Sequence, residues 1–72
     1  MVKKRSVTLR GHATSLALEP DFWSVIDAEL NETGGSLAGL ITAIDEVREP
    51  DQPLSSACRV WALKRVQSQD QG

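Results

Sequence analysis

One short stretch of alternating residues, Thr14–Leu18, limits what this chain can fold into more than any other segment. Leu16 and Leu18 fall on the same side of an extended chain, which is the period of a half-buried β-strand. An earlier alternating piece, Ser6–Leu9, is separated from it by a few residues and is expected to form at best a frail hairpin. A lone strand leaves its backbone N–H and C=O groups unpaired, so the sequence predicts pairing with the same strand of a second copy.

The shortness of the chain also favours association. A domain of 72 residues buries a small fraction of its surface and usually needs an additional source of stability. One cysteine, Cys58, cannot close an intramolecular disulfide, and one histidine, His12, provides no metal-ligand cluster. With 40% hydrophobic residues the chain is expected to fold. We therefore expect a homodimer that holds neither metal nor cofactor.

The charges are divided unequally along the chain. Residues 1–18 contain four basic residues and no acid, whereas residues 19–72 contain ten acids and four bases, which together give the net charge of −2. The basic end is suited to a polyanion such as double-stranded DNA, and a dimer would present it twice. No apolar run approaches the roughly 18 residues that span a bilayer. A cytoplasmic, nucleoid-associated protein without membrane contact is expected.

Three helices are predicted after the strand. Pro20 suits a first helical position, and the glycines at 34 and 35 suit the end of that helix. Ser36 is a good N-cap for a second helix, and the prolines at 50 and 53 interrupt the chain before a third. Apolar residues surround most of this third helix, which is typical of a buried one. We expect it to pack across a dimer or over the first two helices, or else to form an exposed groove for another protein.

This order of elements resembles that of the ribbon-helix-helix superfamily, the class to which the Arc and Met repressors belong. The Gly34–Ile41 segment is similar to the turn between the two helices of that superfamily. A bacterial subfamily of short ribbon-helix-helix proteins is similar over nearly the whole chain. The residues that carry this resemblance are Lys4–Val7, Gly11-His12, Thr14-Ser15, Leu18-Glu19-Pro20, Phe22-Trp23, Leu54–Ala57 and Arg59.

The resemblance implies a mostly α fold with one short N-terminal β-strand. In this ribbon-helix-helix fold an additional C-terminal helix is present, and two chains intertwine around an intermolecular antiparallel two-stranded β-ribbon. The expected organisation is a basic N-terminal arm over 1–12, the domain over 13–66 and a polar tail over 67–72. Within the domain we expect a strand at about 13–18 and helices at about 20–33, 36–48 and 55–66. The dimer core is expected to contain Leu16, Leu18, Phe22, Trp23, Ile26, Leu40, Ile41, Ile44 and Trp61.

The same resemblance implies two sets of DNA contacts. Outward-facing strand residues touch base edges in this family, which here means Ala13, Ser15 and Ala17. Two alanines offer only apolar contact, so direct recognition would depend on Ser15 and on the flanking basic residues. The start of the second helix is expected to bind phosphate through backbone N–H groups. The full set of predicted DNA-binding residues is Lys3, Lys4, Arg5, Arg10, Ala13, Ser15, Ala17, Ser36, Leu37 and Ala38.

The predicted function is therefore that of a sequence-directed DNA-binding protein and transcription regulator. A protein-interaction module of the same fold, antitoxin-like or an adaptor, is the alternative, and it would bind its partner through the third helix. Catalysis is not expected, because His12 has no carboxylate or nucleophile at a recognisable spacing. Cys58 lies on an apolar helix and is expected to be a core residue.

Overall fold

The chain folds into a β-hairpin followed by three helices. The computed structural model describes residues 1–70. Its elements, in chain order, are β1 (Lys3–Leu9), β2 (His12–Leu18), α1 (Pro20–Thr33), α2 (Leu37–Val47) and α3 (Leu54–Asp70). The three helices are as expected in type and order. The predicted polar tail is helical up to Asp70, and residues 71–72 lie outside the described part of the chain.

The prediction of a single strand is wrong, because β1 and β2 pair with each other inside one chain. They are antiparallel, with Lys3 opposite Leu18 at the open end and Leu9 opposite His12 at the turn. The turn residues Arg10 and Gly11 have φ of 51° and 82°. Positive φ at both central residues is the geometry of a type I′ turn, whose twist suits a two-residue hairpin. β2, which the sequence left without a partner in its own chain, therefore pairs with the seven-residue strand β1.

The hairpin also changes the meaning of the N-terminal segment. Residues 3–9, expected to belong to a basic arm, form a regular strand. Isolated hairpins are marginally stable in water. This one packs its inner face on the helices, where Val7, Leu16 and Leu18 are buried. Each such side chain contributes about 1.5–3 kcal/mol on burial and so anchors the hairpin on the helices.

Local sequence signals account for the helix ends. Pro20 occupies the start of α1, and Gly34 ends it with a φ of 71° while its N–H bonds to the Leu30 carbonyl. A residue with a side chain is strained in that left-handed conformation, which is why glycine is favoured there. The Ser36 side chain caps α2 by accepting a hydrogen bond from the Gly39 N–H. The first two helices are thereby separated by a turn of three residues.

The hydrophobic core is formed within one chain. It contains residues from both strands and all three helices: Val7, Leu16, Leu18, Trp23, Ile26, Ile41, Ile44, Ala57 and Cys58. Six of the nine residues predicted for a dimer core are in this set, and Phe22, Leu40 and Trp61 are partly buried against it. A second chain is therefore not needed to bury them. The unpaired-strand argument for a dimer no longer holds either, although pairing of two chains through β2 stays a prediction.

The third helix packs over the first two helices of its own chain, which is one of the positions that the sequence left open. Two arginines on it form ion pairs with the first helix and its N-cap. Arg59 Nε lies 2.8 Å from Glu19 Oε1, and Arg65 Nε lies 2.5 Å from Glu29 Oε1. A hydrogen bond from Arg59 lowers the pKa of Glu19 below its ordinary value. The ion pairs fix the orientation of α3 on a helix pair that is otherwise held by apolar contacts.

The buried thiol of Cys58 provides a test of this packing. Desolvation raises its pKa to about 11, so the thiol is protonated and shielded at neutral pH. We expect a thiol reagent to leave the folded protein unlabelled for hours and to label it completely in denaturant. Fast labelling of the native protein would show that α3 does not pack on the core as described.

Candidate nucleic-acid interface

The outer face of the hairpin is a flat surface of small side chains. Because opposite residues of an antiparallel pair lie on the same face, the register sorts them into two sets. Arg5, Val7, Leu16 and Leu18 face the helices. The outer set consists of three cross-strand pairs: Lys4 with Ala17, Ser6 with Ser15, and Thr8 with Ala13. All of these are exposed except the half-buried Ala17.

Polar groups on this outer face have no partner within the protein. In residues 1–70, no side-chain hydrogen bond or ion pair involves Lys4, Ser6, Thr8 or Ser15. In the rest of the hairpin, the side chains of Arg5 and Arg10 contact carboxylates of the helices. A surface with three free hydroxyls and an ammonium group can donate and accept hydrogen bonds to an external ligand.

The predicted base-reading residues lie on this face, together with others that the sequence reasoning missed. Ala13, Ser15 and Ala17 line the β2 half, as expected for one face of a strand. Ser6 and Thr8 line the β1 half and were missed because their segment was assigned to an arm. The sequence signal that indicates a hairpin is the pair of alternating stretches, equal in length, on either side of Arg10-Gly11. This signal is weak because arginine is not a usual first residue of a type I′ turn.

The four basic residues of the N-terminal segment differ in how firmly they are paired within the protein: Arg5 is held closely, Arg10 weakly, and Lys3 and Lys4 form no ion pair in residues 1–70. Arg5 forms a bidentate ion pair with Asp27, at 2.8 and 2.9 Å, and stacks 4.4 Å from the centre of the Trp23 ring. Trp23 in turn donates a hydrogen bond of 2.9 Å to the Lys3 carbonyl. We call Arg5, Trp23 and Asp27 the clasp, because together they fasten β1 to α1. Arg5 is thereby directed away from any ligand on the outer face.

At the hairpin tip, Arg10 is more weakly held. Its Nη2 lies 3.6 Å from Asp45 Oδ2, and the side chain is 60% exposed. Asp45 is already bound by Arg48, with Nε 2.7 Å from Oδ1, and this hydrogen bond lowers the pKa of Asp45 below its ordinary value. Lys3 and Lys4 are exposed and form no ion pair within the described residues. Positive charge available to an anion therefore comes from Lys3, Lys4 and Arg10.

The start of α2 provides backbone donors. The Ser36 side chain uses the Gly39 N–H, whereas the N–H groups of Leu37 and Ala38 belong to the first turn and have no helical acceptor. The hairpin tip meets α2 near Asp45, which is eight residues beyond Leu37 and seven beyond Ala38. These donors therefore lie roughly 10–12 Å from that contact along the helix axis. The described structure does not bring them into contact with the outer face of the hairpin.

No group of side chains in residues 1–70 has the composition of a metal site, and His12 is an exposed strand residue. None of the helices in the same range has the length and apolar character needed to cross a bilayer. The structure combines this order of elements with a hairpin whose outer face carries small polar side chains and with a second helix capped by serine. A family model described as the ribbon-helix-helix domain matches residues 2–66.

The chain belongs to the ribbon-helix-helix family. The matched range includes both strands, the first two helices and most of α3. Ribbon-helix-helix domains commonly bind DNA as transcription regulators and are typically regulatory rather than catalytic. Neither the search of curated proteins nor that of solved structures found a match.

The clasp can be tested separately from DNA binding. Because the Arg5 guanidinium lowers the pKa of the Asp27 carboxyl below its ordinary value of 3.8, the ion pair stabilises the fold above that pH. This contribution is lost as the pH falls through the lowered pKa, when Asp27 is protonated. Both side chains are about half exposed, so we expect Asp27→Asn to cost less than about 1 kcal/mol at neutral pH.

Trp23 provides the readout for that experiment, in a Trp61→Phe background because the chain has a second tryptophan. We expect Asp27→Asn to lower the melting temperature by a few degrees and to shift the tryptophan emission, with the difference from wild type disappearing in acid. Glu46→Gln, on the exposed surface of α2, is the matched control. An unchanged emission spectrum in Asp27→Asn would contradict the clasp.

Proposed function

We propose that this ribbon-helix-helix protein is a sequence-directed DNA-binding regulator of transcription that places its ribbon in the major groove. The observation that carries the proposal is the outer face of the hairpin. The major groove, about 12 Å wide, admits a two-stranded β-ribbon, and the small side chains of this face let its backbone approach the base edges. The opposite face is committed to the hydrophobic core through Val7, Leu16 and Leu18.

Phosphate contacts are proposed at two places. Lys3 and Lys4 form no ion pair in residues 1–70, and Arg10 has only the 3.6 Å contact with Asp45, so all three leave positive charge near the ribbon. The free N–H groups of Leu37 and Ala38, with the dipole of α2, suit a phosphate at the start of that helix. Ser36 supports this site by capping the helix. Such contacts position the protein on the duplex without reading its sequence.

We also propose that the protein acts as a homodimer. The apolar side chains still exposed on α3 are Val60, Leu63 and Val66, and they are the surface that a second chain would cover. The neighbouring arginines of α3 are already paired with carboxylates, which leaves Lys64 as the basic residue of α3 without an ion pair in the described residues. Among the predicted dimer-core residues, Phe22, Leu40 and Trp61 retain exposed surface for such a contact, while the other six support each chain's own fold.

Binding of random-sequence duplex DNA across a salt series tests the proposal, with the oligomeric state measured by light scattering in the same buffer. The expected result is a dimer whose log affinity falls linearly with log salt, with a slope of several units. A monomer at micromolar concentration would contradict the proposed dimer. Absence of salt-dependent binding would contradict the DNA-binding function.

The lysines of β1 give a sharper form of this test. We expect Lys3→Gln with Lys4→Gln to weaken binding similarly for all duplex sequences and to reduce the salt slope by about one per lysine contact removed. Lys64→Gln, on α3, is the matched control and is expected to have no effect. Arg5 is left intact because its loss would disturb the clasp. Equal effects of the two changes would indicate general charge attraction without a defined DNA-binding face.

A second candidate function is a protein-interaction module, antitoxin-like or an adaptor, that uses the same surface of α3. The observation in its favour is the exposure of Leu63, which is 55% of the residue's maximum, beside a shallow depression also lined by Phe22, Val25 and Val66. A stable dimer that does not bind DNA would favour this function, because α3 would then be the remaining surface suited to a partner.

A further inference from the structure

The two strands of the hairpin carry the same short pattern. Residues 6–9 read Ser-Val-Thr-Leu and residues 15–18 read Ser-Leu-Ala-Leu, so each has a serine, an apolar residue, a small residue and a leucine in that order. In both copies of the pattern the serine is exposed, the second residue is buried, and the leucine is buried or half-buried. β1 therefore repeats the pattern by which β2 contributes to the core.

The register of the hairpin aligns this pattern with a second copy of the chain. In the hairpin, Ser6 lies opposite Ser15 and Val7 lies opposite Thr14. A second chain can present its own β2 antiparallel to this strand, with the two Ser15 residues facing each other at a two-fold axis. The partner's Leu16 would then lie opposite Thr14, where Val7 lies in the structure. β1 therefore occupies the place that β2 of a second copy fits.

The same correspondence holds near the turn. Leu9 lies opposite His12 and packs against the core. In the register centred on Ser15, the partner's Leu18 would lie at that position. A second copy would thus fill the apolar positions of β1 with a leucine for a leucine and a leucine for a valine. Apolar exchanges of similar volume are the kind that a core tolerates best.

We propose that β1 is an intramolecular substitute for the β2 strand of a second copy, and that the protein dimerises by exchanging β1 for the partner's β2. This inference rests on the homodimer of the proposed function. The hairpin is then the closed, monomeric form, and the ribbon of the dimer has one strand from each chain. Ala13, Ser15 and Ala17 keep their outward orientation, so both chains supply them to the face that meets DNA.

The exchange costs only the contacts of β1 that a partner strand does not replace. Ser15 is the middle residue of β2, so self-pairing centred there restores the seven-residue ladder at full length. The clasp and the hydrogen bond from Trp23 to the Lys3 carbonyl are lost, because the partner's Thr14 would lie where Arg5 lies. An exposed ion pair contributes little to stability. Protein concentration therefore decides between the two forms.

A disulfide that fastens β1 to β2 tests the exchange. Thr8→Cys with Ala13→Cys places two thiols opposite each other on the outer face, at a separation that suits a disulfide. The reduced form of the same variant is the matched control. The wild type, in which Cys58 is buried, controls for reaction of the native thiol. Light scattering over a concentration series measures the fraction of dimer.

We expect the reduced variant to dimerise like the wild type and the oxidised variant to lose the dimer at every concentration measured. Thermal melting confirms that both forms are folded. An oxidised variant that dimerises as readily as the reduced one would overturn the proposal, because β1 would then stay on β2 in the dimer.

Single cysteines on β2 test the register independently. We expect Ser15→Cys to form a disulfide between two chains on mild oxidation, because the two copies of this residue face each other. Ala13→Cys is the matched control on the same face. Each copy would lie opposite the partner's Ala17, which leaves the two cysteines about 13 Å apart along the strands, beyond the reach of a disulfide. Equal cross-linking at the two positions, whether rapid or absent, would contradict this register.

Failure of this inference and failure of the proposed homodimer give different results. If the wild type is a dimer and the oxidised Thr8→Cys, Ala13→Cys variant is an equally stable one, the homodimer stands and the exchange fails. If the wild type is monomeric over the whole concentration series, the proposed homodimer fails and the exchange fails with it.

Discussion

Pairing of β1 with β2 around the Arg10-Gly11 turn is the interaction on which the rest of the structure depends. The two strands complete each other's backbone hydrogen bonds, so neither leaves an unpaired edge towards the other. Their inner face supplies Val7, Leu16 and Leu18 to the core, and the polar side chains of their outer face form no hydrogen bond or ion pair within residues 1–70. The inner face of the hairpin therefore contributes to stability, and the outer face is left for the DNA recognition that we propose.

The acidic residues of the helices have a structural part in this arrangement. Asp27 holds Arg5 in the clasp, and Glu19 and Glu29 hold the arginines of α3. The net charge of −2 therefore does not describe the surface around the ribbon, where Lys3 and Lys4 are left without carboxylate partners in the described residues. Internal ion pairs reduce the number of charges available to phosphate, and the exposed ones are concentrated beside the ribbon.

The helices were predictable because their signals are local. Pro20, Gly34 and Ser36 mark helix ends through backbone chemistry that depends on few neighbours. The hairpin was not predictable in the same way, because Arg10 adopts a positive φ that arginine rarely takes. Its conformation is imposed by the ladder and the buried inner face. The role of Arg5 was hidden for a related reason, since its partner Asp27 is 22 residues away.

The central claim is that the outer face of the hairpin meets DNA, and amide chemical shifts measured while a duplex is added test it most directly. The account predicts that the largest changes occur along both strands, at Ser6, Thr8 and Ser15, with a second group at Leu37 and Ala38. Changes confined to α3, with the hairpin signals unmoved, would contradict the account.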